Sequence, residues 1–130
     1  MVYIVPRRIR DKFWPEPLPP PGSFLGQTVL VTGATAGLGL AAAVHFSTLG
    51  ARVVITSRSV AQGNAAKDEV EKRAGIVSQG KIHVFELDMG RYSSCVEFVD
   101  RLRESSLDVD IAVLNAGLVN AEYEISPEGW

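Results

Sequence analysis

Cysteine is nearly absent from this 130-residue chain, long apolar runs are missing, and proline all but disappears after residue 21. The single cysteine, Cys95, excludes an internal disulfide and gives no sign of an oxidising compartment. No apolar stretch approaches the ~18 residues that span a bilayer. The apolar start, Val2–Val5, is too short for the core of a secretion signal and has its basic residues on the wrong side. Histidine, cysteine and carboxylates do not cluster, so no metal site is predicted. Internal repeats are also lacking. What remains is 46% hydrophobic and 22% charged with a formal net charge of −2, proportions that argue against wholesale disorder and collagen-like repeats. These features predict a soluble cytoplasmic protein with one core.

The charge and the prolines are unevenly placed. Residues 1–24 carry Arg7, Arg8, Arg10 and Lys12 against Asp11 and Glu16, together with six of the seven prolines. Proline fixes φ and removes a backbone donor, so Pro15–Pro21 is expected to be extended and to stay out of any sheet. Residues 1–24 therefore read as a basic, Pro-rich arm, and 25–130 as the domain. Phe13 or Trp14 is expected to pack the arm on the domain or leave it loose. Four basic residues interrupted by an acid are a poor basis for a nucleic-acid or membrane contact, and neither is predicted.

From Gly26 onward short apolar runs alternate with segments of helical period. Thr28–Thr32 reads as a strand covered on both faces. Leu38, Ala41, Ala42, His45, Phe46 and Leu49 recur at helical spacing before Gly50, which makes His45 a core histidine. Arg52–Ser57 is a second strand, and Ser59 with Gln62 caps a helix that ends near Gly75. Lys81–Leu87 is a third strand. Ser94 with Glu97 forms another capping-box pair, opening a helix with Cys95, Phe98, Val99 and Leu102 on one face. Asp110–Asn115 is a fourth strand. The succession β-α-β-α-β-α-β predicts an α/β fold: a doubly wound parallel sheet with helices on both sides.

Open parallel sheets bind ligands at the turns after their strands. The first such turn, Thr32-Gly33-Ala34-Thr35-Ala36-Gly37-Leu38-Gly39, has the spacing G-x-x-x-G-x-G between a buried strand and a helix. Glycine lets the backbone turn sharply and brings N–H groups close to an anion, and the helix start adds its unpaired N–H groups and positive dipole end. The pyrophosphate of a dinucleotide is the natural ligand. NAD-selective sites usually place a carboxylate at the end of the second strand for the ribose 2′-hydroxyl. Here that position reads Thr56-Ser57-Arg58-Ser59, without an acid. Arg58 can instead pair with a 2′-phosphate and Ser57 can donate a hydroxyl, so NADP is the expected cofactor.

These residues resemble the short-chain dehydrogenase/reductase family. Thr32–Gly39 matches the family's T-G-x-x-x-G-x-G motif, Asp88 matches the acid that holds the adenine amino group, and Asn115-Ala116-Gly117 matches the N-A-G element. The resemblance covers residues 26–130, and the run from Pro21 through Arg58 is most similar to the retinol-dehydrogenase-like branch, including fungal members of secondary-metabolite pathways. It implies a Rossmann-type sheet, incomplete at about four strands in the order 3-2-1-4. It also implies hydride transfer between NADP(H) and a carbonyl or alcohol compound. The implied cofactor-binding set is Gly33, Thr35, Ala36, Gly37, Leu38, Gly39, Ser57, Arg58, Asp88, Met89, Asn115, Ala116 and Gly117.

One element of the family pattern is missing. The resemblance implies a catalytic Tyr-x-x-x-Lys pair, yet Tyr3, Tyr92 and Tyr123 are followed four residues later by Arg7, Val96 and Pro127. No family catalytic residue transfers to any position here. The expectation is a cofactor-binding half without turnover of its own, since a positioned acid/base is worth 10²–10⁴-fold in rate. A non-catalytic NADP-binding module and a truncated inactive paralogue are the alternatives. Ile111–Leu114 is expected to form an open apolar sheet edge, prone to self-association.

Overall fold

The computed structural model describes residues 17, 19–118, 125, 126, 128 and 129. The arm's basic cluster, Phe13, Trp14, Tyr3 and Tyr123 lie outside the described residues. Strands and helices alternate along the chain: β1 (Thr28–Val31), α1 (Gly37–Thr48), β2 (Arg52–Ser57), α2 (Val60–Ala74), β3 (Ile82–Glu86), α3 (Tyr92–Glu104) and β4 (Ile111–Val113). Every pairing is parallel and the spatial order is β3-β2-β1-β4, the order the sequence implies.

Period-two alternation in the strands divides the core into two layers. Val29, Val31, Val53, Ile55 and Ile82 face α1 and α2, where Ala43, Ala66 and Val70 cover them. Leu30 and Val54 face the other way and pack with Leu87 and Phe98, with Phe85 set edge-on to Phe98 at 6.0 Å between ring centroids. Val53, Val54 and Ile55 in β2 have no exposed surface. Each such side chain contributes roughly 1.5–3 kcal/mol of transfer free energy, which makes β2 the central support of the sheet. β4 is the sparser member: Asp110 Oδ2 accepts from the Thr28 N–H at 2.7 Å just ahead of its pairing with β1.

Two helix readings need correction. α1 is apolar on nearly every side, so hydropathy could not say which face would be buried. The face against the sheet is Gly39, Ala43 and Ser47, while Leu38 and His45 are exposed. Small residues win because α1 lies close to the strands, and His45 is not a core residue. α3 begins at Tyr92 with Arg91 as its N-cap, two residues before Ser94, so the Ser94–Glu97 capping box does not form. Ser94 is buried in the first turn, where its Oγ accepts from the Asp88 N–H at 2.9 Å. On the predicted apolar face Phe98 is buried and Cys95 and Leu102 half-buried, but Val99 is 40% exposed. α2, by contrast, starts as expected, with Ser59 Oγ accepting from the Gln62 N–H and Gly75 at its C-cap.

The chain enters the domain through turns over residues 21–26. Phe24 donates its N–H to the Leu49 carbonyl at 3.1 Å, and its ring meets Phe46 edge-on at 5.0 Å. The last residues of the proposed arm are thus fixed to the domain beneath α1.

Candidate functional site

The carboxyl ends of the parallel strands open into one cleft of about 1200 Å³, beyond the ~300–1,000 Å³ usual for a small-molecule pocket. Twelve of the thirteen residues singled out in the sequence line it: Gly33, Thr35, Ala36, Gly37 and Leu38 from the first turn; Ser57 and Arg58 from the second; Asp88 and Met89 from the third; Asn115, Ala116 and Gly117 after β4. Gly39 does not line it. Gly39 lies behind the turn, where a Cβ would stand 2.3 Å from the Gly33 carbonyl oxygen and 2.5 Å from Asn115 Nδ2. The lack of a side chain there lets the helix start pack closely on the turn.

The first turn is shaped to receive an anion. Gly33 has φ +65°, and a Cβ there would press on Ala116 at 2.9 Å, so the turn can approach the fourth strand only without a side chain. Gly37 has φ +55°, and a Cβ there would meet nothing within 4 Å. The N-cap of α1 is Ala36, which has no side-chain acceptor to offer, and the first helical bond runs from the Leu40 N–H to the Ala36 carbonyl. Among the described residues the N–H groups of Gly37, Leu38 and Gly39 find no acceptor. An uncapped helix start beside a glycine-containing turn leaves donors and dipole available to a phosphate group, so the residues present fit a dinucleotide.

Hydrogen bonds from the residues just after β1 to the segment after β4 hold this turn in place. Thr32 Oγ1 accepts from the N–H groups of Asn115 and Ala116, each at 3.0 Å. Asn115 Nδ2 donates to the Thr32 carbonyl at 3.1 Å and lies 3.4 Å from that of Gly33. The asparagine side chain therefore braces the glycine turn as well as lining the cleft.

At the second turn Ser57 Oγ donates to the Ser59 carbonyl and accepts from the Ser59 N–H. Its proton is engaged within the chain, so Ser57 shapes the loop that presents Arg58 rather than offering a free donor. Arg58 is exposed and has no ion-pair partner among the described residues. Asp88 Oδ1 accepts from the Gly90 N–H at 3.0 Å, and Oδ2 lies 3.6 Å from Arg91 Nε. A carboxylate has about four acceptor sites, so Asp88 retains capacity for an exocyclic amine.

Part of the wall was not assigned to the cleft from the sequence. Gln62, Ala65, Ala66 and Glu69 of α2 line the same cleft, with Thr56 and Leu87 at the ends of β2 and β3 and Leu118 beyond the N-A-G element. The α2 positions follow the i, i+3, i+4, i+7 rule for one helix face. Their small and polar character, where a core stripe would be apolar, is the signal that could have found them.

A sequence profile of the short chain dehydrogenase family matches residues 27–130. A short-chain dehydrogenase/reductase of Aspergillus flavipes is 41% identical over 115 residues, covering 88% of this chain and 34% of the relative. Another, from Phaeosphaeria nodorum, is 38% identical over 112 residues, covering 85% and 33%. The chain thus spans about a third of the length of the curated relatives it matches. Among solved structures, the N-domain with NADP of a bacterial malonyl-CoA reductase is similar with a TM-score of 0.71 at 30% identity, over 83% of this chain and 21% of that one. Menthone neomenthol reductase from Mentha piperita gives 0.65 at 28% identity, over 71% and 32%. Turn motifs, strand order and family profile agree, and the chain belongs to the short-chain dehydrogenase/reductase family.

Proposed function

We propose that this chain forms the coenzyme-binding face of an NADP(H)-dependent oxidoreductase acting between carbonyl and alcohol carbons. When bound, the nicotinamide coenzyme supplies or accepts the hydride. The chain's own residues bind and orient it. The N–H groups of Gly37 and Leu38 and the start of α1 take the pyrophosphate. Arg58 takes the 2′-phosphate, Asp88 accepts from the adenine amino group, and Asn115–Gly117 line the adenosine side. The supporting observation is Arg58, exposed and unpartnered at the end of a strand that carries no carboxylate. The NADP-bound malonyl-CoA reductase domain is consistent support, being 30% identical to this chain.

None of the chain's tyrosines has a lysine four residues on, so the proposal gives these 130 residues the binding share of the work alone. The chain by itself is expected to bind NADPH without turnover and to self-associate through the open edge of β4, directly after which Leu114 is 82% exposed. Calorimetric titration tests the reading. NADPH is expected to bind more tightly than NADH. Arg58→Ala is expected to cost NADPH about 10–100-fold, the worth of a charge-assisted contact of ~1.5–3 kcal/mol, while leaving NADH unchanged. Equal binding of the two coenzymes by the folded protein would refute NADP selectivity.

A further inference from the structure

The charges of the cleft are arranged in a way the coenzyme motifs do not explain. Among its described lining residues three are charged: Arg58, Glu69 and Asp88. Each carboxylate is matched by an arginine that does not itself line the cleft. Arg73 Nε lies 2.6 Å from Glu69 Oε1, one helical turn further along α2, and Arg91 Nε lies 3.6 Å from Asp88 Oδ2. Arg58 has no such partner among the described residues, so it is the cleft's single uncompensated charge.

Glu69 is the carboxylate that needs explaining. In an NAD site a carboxylate near the adenosine ribose accepts from the 2′-hydroxyl and repels a phosphate at the same place. Here no acid ends β2, but α2 brings one into the same cleft. Unpaired, Glu69 could repel a 2′-phosphate or neutralise Arg58, and either would erase the selectivity that Arg58 provides. The pair with Arg73 prevents both. A glutamate four residues before the basic partner is the favourable helical orientation, and Arg73 in the last turn of α2 also complements the helix dipole. Both side chains are more than a third exposed, so the pair does little for stability. Its effect falls on the field inside the cleft.

We infer that Arg73 is a coenzyme-selectivity positioning residue: by holding the Glu69 carboxylate it keeps Arg58 available and reserves the adenosine end of the cleft for a 2′-phosphate. This rests on the NADP reading above and extends it to a residue that touches no coenzyme.

The test is a double-mutant cycle on the purified protein, with circular dichroism confirming the fold of each variant. Binding of NADPH and NADH is followed by fluorescence. Adenosine 2′,5′-bisphosphate and 5′-AMP are titrated by calorimetry at low and high salt. Arg73→Met is expected to weaken NADPH and the bisphosphate about three- to tenfold at low salt, the scale of one charge acting at the protein surface, and to leave NADH and 5′-AMP unchanged or tighter. The loss should shrink at high salt. Arg73→Lys should retain selectivity, and Glu69→Gln with Arg73→Met should restore it. The inference is overturned if Arg73→Met leaves the NADPH-to-NADH ratio unchanged, if both coenzymes weaken equally, or if the double variant fails to recover. A wild-type protein that does not favour NADPH defeats the NADP reading and this inference together. Selectivity lost in Arg58→Ala but retained in Arg73→Met defeats the inference alone.

Discussion

Gly39→Ala is the most demanding test of how the cleft is built, because it adds one methyl group that should never reach the ligand. That methyl carbon would lie 2.3 Å from the Gly33 carbonyl oxygen and 2.5 Å from Asn115 Nδ2. The first obstacle is backbone, and it cannot yield easily, since Gly33 is itself packed against Ala116. The turn must therefore lift away from Asn115 and strain the bonds from Nδ2 to the carbonyls of Thr32 and Gly33. Overpacking of this kind costs ~1–3 kcal/mol, and a lost hydrogen bond adds about 1 kcal/mol. For a domain near 100 residues that predicts a fall in Tm of roughly 8–20 °C, read by thermal melting followed by circular dichroism. Gly37→Ala is the paired control. Nothing lies within 4 Å of its added carbon, so its penalty is the ~1–2 kcal/mol of a left-handed residue, and its larger effect should be on coenzyme binding. Equal melting temperatures for wild type and Gly39→Ala would refute the close-packing role. So would a Gly37→Ala variant that melts lower than Gly39→Ala yet binds coenzyme normally.

Thr32→Val should cost about 1–3 kcal/mol in urea unfolding, because it strands the N–H of Ala116, whereas Thr32→Ser should stay near wild type. His83 makes the stability pH-dependent. Burial first, then the positive charges of Arg52 and Lys67, holds its imidazole below the ordinary 6.5. The folded protein therefore takes up this proton less readily than the unfolded chain. The His83 contribution is complete above about pH 6.5 and is lost as pH falls toward the lowered folded value. Denaturant midpoints should drop over that window in wild type and drop less in His83→Gln, and parallel curves would refute the assignment.

The strands and the turns that follow them were legible because both are local, whereas the sheet order, which pairs β1 with the distant β4, came from the family resemblance. β-branched runs ending in Thr32-Gly33, Ser57-Arg58, Leu87-Asp88 and Asn115-Ala116 mark where strands stop, and crossover connections bring those ends to one side. The buried face of α1 was not legible. Leu38 and Ala41 satisfy the period as well as Gly39 and Ala43 do, yet they are exposed while Ala42 and Phe46 are half-buried against the core, and proximity to the sheet decided between them. Ser94 misled because S-x-x-E spacing also occurs inside a first turn, where its hydroxyl was taken by the Asp88 N–H. The α2 wall depends on which helix face looks over the strand ends, and no single turn encodes that.

β4 joins the sheet through three residues on one side, and the brace on the glycine turn follows directly after it. Peeling the outermost strand from β1 must also withdraw Asn115, so fraying at the rim and slackening of the glycine turn are one motion. Thermodynamic reciprocity then applies. A nucleotide that tightened the turn would slow amide exchange along a strand it never touches, and a partner strand zipped onto that rim would sharpen the grip on the nucleotide by the same factor.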